Sequence, residues 1–145
     1  MTNPVLTTTS SFALEIGGVV IGQFRKCSGL ESETEATEYK TATKDGKLLI
    51  TYVPGAEKWP PFTLEKPQSG TKELWEWRKQ VLDGDVDSAR RDGSIVLLDS
   101  MHKEIARWNF MRGWPSKWEG GEFDASSNDV AMEKLTIHHE GLHWA

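Results

Sequence analysis

The sequence predicts a mainly β protein, an antiparallel β-barrel or sandwich with one flanking helix over about residues 71–83. Three observations carry this. Apolar residues alternate with a period of two in several segments, turn signals recur between those segments, and a single stretch has helical periodicity. Strands that bracket one helix belong to sandwich or barrel architectures. The 145 residues suit one domain with one core, and we find no internal repeat or linker.

The elements follow in chain order. Residues 1–11 are Thr- and Ser-rich and read as a flexible N-terminal arm. Phe12, Leu14 and Ile16 alternate with Ala13 and Glu15 as a strand. Gly17-Gly18 supplies a two-residue turn, and Val19 to Cys27 returns as a second strand. The next stretch is polar but extended, and it sets Glu31, Glu33 and Glu35 at period two. Such like charges repel and cannot face a dry core. Either they form a solvated face, or they line a water-filled channel or a seam between subunits.

Residues 42–61 read as a long excursion or short hairpin. Asp45-Gly46 signals a turn, Leu48 to Val53 is apolar, and Pro54-Gly55 and Pro60-Pro61 interrupt regular structure. Loops of this length are usually functional or ordered by a partner.

"SGTKELWEWRKQVLDGD" carries the helix. Thr71 or Ser69 is placed to cap its start, and Gly84 to end it. Leu74, Trp77 and Val81 share one face for helix packing, with Trp75 and Leu82 on its flank. "VDSARRDGSIVLLDS" then reads as a hairpin turning at Asp92-Gly93, "HKEIARWNFMRGW" follows as a strand, and "NDVAMEKLTIHHEGL" closes the chain.

Composition excludes several functions. The formal net charge is −5, which argues against a nucleic-acid binder that works by neutralising phosphates. The basic residues Lys72, Arg78, Lys79, Arg90 and Arg91 are interleaved with acids. A lone cysteine, Cys27, allows no intrachain disulfide. The N-terminus has neither the basic nor the apolar region of a secretory signal, and no apolar run approaches the ~20 residues that span a bilayer. Synthesis in the cytoplasm is therefore expected. Seven tryptophans point to extensive interfaces as well as core.

One motif points to an enzyme. His139, Glu140 and His143 spell H-E-x-x-H, the pattern of zinc hydrolases. It works only on a helix, which brings residues i and i+4 to one ion. Here Leu135-Thr136-Ile137 favours a strand, Gly141 falls inside the pattern, and no chain follows to supply a third ligand. On a strand the two histidines stand about 13 Å apart. His102 reads as a solvated turn residue. Ser28, Ser100 and Ser116 lie outside nucleophile motifs. No catalytic site, metal or cofactor is expected.

Blocks along the chain carry a family resemblance: "TLEKPQSGTKELWEWRKQVLDGDV", "RRDGSIVLLD", "EIARWNFMRGWPSKW" and "DASSNDVAMEKLTIHHEGL". Within them "LWEWRK", "RGWPSKW" and "DASSN" are the most specific. The chain resembles, over roughly residues 10–143, the inner-tube proteins of contractile phage tails and extracellular contractile injection systems.

The resemblance implies a structural role. Six protomers form a ring, and rings stack into a hollow tube inside a contractile sheath. Implied partners are further copies of the chain, the sheath protein, baseplate and terminator or cap proteins, and a lumenal cargo protein or phage DNA. A baseplate or tube-initiating paralogue shares these marks. On this reading Glu31, Glu33 and Glu35 face the lumen or a protomer seam. Lys44, Asp45, Lys47, Tyr52, Lys58 and Trp59, with the N-terminal arm, make the contact between rings. "TATKDGKLLITYVPGAEKWPPF" departs from the family's usual Gly/Asn-rich loop at its apolar run.

Overall fold

The computed structural model describes residues 9–145. Eight strands form one sheet, two more form a separate hairpin, and a helix with a short companion packs outside. Most of the expected N-terminal arm, residues 1–8, lies outside the described residues. Its last residues are not an arm: Thr9 already pairs with Asp99 in strand β1 (Thr9–Ile16).

β1 turns at Gly17-Gly18 into β2 (Val19–Phe24). The expected single strand to Cys27 breaks at Arg25, and β3 (Lys26–Ser28) follows. The Arg25 amide bonds the Glu65 carbonyl at 2.8 Å, so the chain changes partner there. β2 pairs with β1, whereas β3 pairs with β6 (Phe62–Pro67). The remaining order is β1, β7 (Arg91–Asp99), β8 (Glu104–Glu119), β9 (Met132–His138), β6. The two ends of the sheet are thus consecutive parts of one segment, and the sheet curls round into a barrel-like body.

Side chains that alternate inward fill the barrel. Leu14, Phe24, Phe62, Leu64, Ile95, Phe110, Leu135 and Ile137 form one buried cluster. Helix α1 (Glu73–Leu82) packs on β8. It buries Leu74 and Trp77 in the same cluster, with Val81 packed beside them. The Trp77 indole N–H donates to the Ala89 carbonyl at 2.7 Å. That bond ties α1 to the short α2 (Val86–Ala89). Neither expected cap engages α1: the Ser69 and Thr71 hydroxyls bond each other at 3.2 Å.

The hairpin expected at Asp92-Gly93 is absent. Gly93 lies inside β7, where an added Cβ would stand 2.6 Å from the Glu15 carbonyl and from the Phe110 ring. Its small size admits a neighbouring strand and an aromatic ring, a demand that sequence does not distinguish from a turn. The chain reverses instead at Ser100–Lys103, around the Asp99 carboxylate, which accepts from the Met101 and Lys103 amides. His102 sits exposed in this turn, with φ of 60°.

The C-terminal octapeptide is not the plain end of one strand. β9 stops at His138, and β10 (Gly141–Trp144) resumes on the same edge of β8. His139 and Glu140 make the corner between them. β8 bends opposite at Arg112, whose φ is 51°, and the Arg112 guanidinium holds Glu140 at 2.7 Å.

Candidate functional site

The polar segment and the excursion form a single unit, with a boundary earlier than the expected residue 42. β4 (Glu33–Ala42) and β5 (Leu48–Lys58) pair only with each other, joined by a turn over residues 43–47. The Thr43 hydroxyl braces this turn, donating to the Lys47 carbonyl at 3.0 Å and accepting from the Lys47 amide at 3.1 Å. Lys44 and Asp45 stand at its tip. Every residue of both strands is exposed.

That exposure includes the apolar run: Leu48, Leu49, Ile50, Tyr52 and Val53, with Tyr39 across from them. Registration places Tyr52 opposite Glu38, Ile50 opposite Lys40 and Leu48 opposite Ala42 on one face. Tyr39, Val53 and Leu49 occupy the other. Neither face is covered by the barrel. An isolated two-stranded hairpin is marginal in water, and contiguous exposed apolar surface marks an interaction site.

Glu33 and Glu35 share the face that carries Tyr39, and Glu33 registers opposite Lys58. Glu31 precedes the strand, so the acidic comb is two strand residues and one loop residue, all exposed. Trp59 stands apart from the other proposed contact residues. It is half-buried at the foot of the hairpin, its ring 6.0 Å from that of His139.

His139 is buried at 7% exposure. Its Nδ1 lies 3.1 Å from the Gly141 carbonyl, and its Nε2 lies 3.1 Å from the Pro60 carbonyl. Phe62 packs on the ring at 5.3 Å. Burial holds the imidazole below its ordinary pKa; the two carbonyls oppose this, and His138 adds a smaller push downward. His143 lies in β10 opposite Asn109 and is exposed. The H-E-x-x-H histidines therefore do not converge. Among the described residues no group of three or more His, Cys, Asp or Glu is placed to hold a metal.

The reactive-group candidates have structural settings. Cys27 is half-buried, and burial raises its thiol to about 12, away from nucleophilic chemistry. Of the basic residues, Arg91 lies 5.6 Å over the Trp77 ring and bonds the Gln80 side chain at 2.8 Å. Arg78 donates to the Pro115 carbonyl at 3.2 Å.

Sequence reasoning missed Glu133. It takes an inward register of β9 with Leu135 and Ile137 and is 1% exposed. Lys66 approaches it at 3.5 Å, and Gln68 and the Trp118 indole donate to it at 3.4 and 3.3 Å. Its inward position in the alternation was the available signal.

The fold is thus a mainly β, barrel-like body with one external helix and a projecting hairpin. The family model described as T4-like virus tail tube protein gp19 matches residues 8–143, and the chain belongs to that family. Among solved structures, the sheath-tube complex of the extracellular contractile injection system PVC is similar, with a TM-score of 0.74 at 23% identity over 98% of this chain and 93% of that one. The tube-terminating cap of the anti-feeding prophage gives 0.73 at 21% identity, over 100% and 94%. Hcp1 from Flavobacterium johnsoniae gives 0.54 at 17% identity, over 92% and 94%. Among curated proteins, none matches the chain. No helix among the described residues is long and apolar enough to cross a membrane.

Proposed function

We propose that the chain is a structural inner-tube protein, with rings of six copies stacking into a hollow tube inside a contractile sheath. One observation carries the reading from family to mechanism. The barrel completes its own core, while the β4–β5 hairpin presents apolar side chains on both faces and packs on no barrel strand. Such a hairpin gains stability when another copy covers it, and a contact that does not close on itself propagates along an axis.

In this scheme the hairpin residues Lys44, Asp45, Lys47, Tyr52 and Lys58 meet the adjacent ring. Trp59 works from the hairpin foot. Glu31, Glu33 and Glu35 lie on the lumen or at a protomer seam. The partners are the sheath protein, the baseplate and the terminator, with a cargo protein or phage DNA in the lumen. The chain is made in the cytoplasm and acts in an assembled particle, released by lysis or held in the cell. The role is architectural and uses no cofactor.

The similar structures come from sheath-tube, cap and baseplate assemblies alike, with a TM-score of 0.73 for an anti-feeding prophage baseplate. Fold alone therefore does not separate tube from baseplate paralogue, and copy number does. Electron microscopy of the concentrated protein tests the assembly. Tubes of uniform width are expected, and replacing residues 34–57 by a short turn should leave folded protomers without tubes. Tubes formed by the shortened protein would overturn the assigned contact.

A further inference from the structure

The hairpin packs on no barrel strand, so its direction is set where it joins the body. Both junctions meet at one place. On the entering side, Gly29 has φ of +88°, and an added Cβ would lie 2.5 Å from the Pro61 carbonyl. The entering chain thus runs directly against the leaving chain. On the leaving side, Pro60-Pro61 restricts the backbone to a narrow range of φ. The Pro60 carbonyl in turn reaches Nε2 of His139, whose ring contacts Trp59 before it and Phe62 after it.

We propose that His139 is a positioning residue: it pins the hairpin root to the β9–β10 corner and so sets the direction in which the hairpin leaves the barrel. The same ring bonds the first residue of β10, so the pin joins the hairpin to an element anchored on β8. Chemistry makes the pin sensitive to acid. A neutral imidazole has one N–H, so it donates to one of the two carbonyls and turns a lone pair toward the other. A proton would supply the second donor, but it places a charge in a buried site. Burial is the larger effect, so the closed root favours the neutral ring.

The sign follows. An opened root exposes the imidazole at its ordinary value of 6.5, and it takes up a proton there before the closed root does. Opening is therefore favoured as pH falls from that value toward the lower one. The surrounding charged groups do not oppose this. His138 precedes the ring and disfavours its charge. Glu140 is engaged with Arg112, and Lys58 registers opposite Glu33.

The test measures the hairpin's carriage in the full-length, unassembled protomer. Spin labels are placed through Lys44→Cys at the tip and Ser88→Cys on α2, in a Cys27→Ser background. The wild-type root should give a narrow distance distribution near neutral pH and a broad one below about pH 5.5. His139→Phe keeps the aromatic packing and removes both polar contacts. It should be broad throughout and lose the pH dependence. A narrow distribution in His139→Phe, or a wild type unchanged across that range, would overturn the proposal. If His139→Phe does not fold, the wild-type titration decides alone. The consequence for ring contacts rests on the tube reading. Tube formation is scored separately, so a pinned hairpin in a protein that builds no tubes counts against that reading only.

Discussion

Removing Glu133 should cost more than removing Glu133 and Lys66 together. The carboxylate is 1% exposed and the Lys66 side chain 12%. Glu133→Leu leaves the Lys66 ammonium with the Thr71 hydroxyl at 3.3 Å and little water. It also strips the Trp118 indole N–H of its acceptor. Breaking a buried pair from one side costs about 3–5 kcal/mol. The access of Lys66 to Thr71 and to water puts this case near the lower end, about 3 kcal/mol. In Lys66→Met/Glu133→Leu the stranded charge is gone. Gln68 still donates to the Gly120 carbonyl at 3.0 Å, which leaves the indole N–H as the main loss, about 1–2 kcal/mol. Urea unfolding with m of about 2 kcal/mol per molar then puts the double variant's midpoint roughly 0.5–1 M above the single's. A double variant no more stable than Glu133→Leu would refute the reasoning, because it would mean that the ammonium pays no burial penalty.

Gly93→Ala should destabilise the barrel by about 1–3 kcal/mol, since its Cβ meets the Glu15 carbonyl and the Phe110 ring at 2.6 Å; a thermal melt checks this. Gly29→Ala, with φ of +88° and a Cβ 2.5 Å from the Pro61 carbonyl, should cost about 1–3 kcal/mol and displace the hairpin tip in the same label experiment. The Cys27 thiol, raised by burial to about 12, should resist a thiol-specific reagent at mildly alkaline pH until urea unfolds the chain. Fast stoichiometric labelling of the folded protein would contradict its burial.

The barrel strands and the helix were legible because they bury one face. Phe12, Leu14 and Ile16 alternate, and Leu74, Trp77 and Val81 recur, each at the period of its element. Three features were not legible. Asp92-Gly93 has the composition of a turn, but the glycine is needed for a close approach that only the folded barrel creates. The break at Arg25 depends on which strand lies on either side, and no local residue records that. Leu48 to Val53 is apolar enough to read as core, yet among the described residues nothing covers its large side chains on the hairpin. His139 failed as a metal ligand on local grounds, and its contact with Pro60 spans 79 residues.

Because the buried core contains no residue of the hairpin, folding of the barrel does not require the hairpin to be covered, and assembly can be perturbed without unfolding the protomer. The triple change Glu31→Lys, Glu33→Lys and Glu35→Lys applies this to the proposed lumen or seam. All three side chains are exposed and none belongs to the core cluster, and surface changes of this kind usually fall within about 0.5 kcal/mol. The thermal midpoint of the isolated protomer should therefore stay close to that of the wild type. The charge change is large and local, however: three negative groups become positive, one on the loop before the hairpin and two at the start of its first strand. A seam or lumen built around those carboxylates then meets like charge or the wrong cargo, and tube length or cargo content should fall. A triple variant that failed to fold would put these residues in the core and remove them from any lumen. One that assembled and loaded like the wild type would assign the carboxylates to a plain solvated face, leaving Tyr39, Tyr52 and the Leu48–Val53 run to carry the contact.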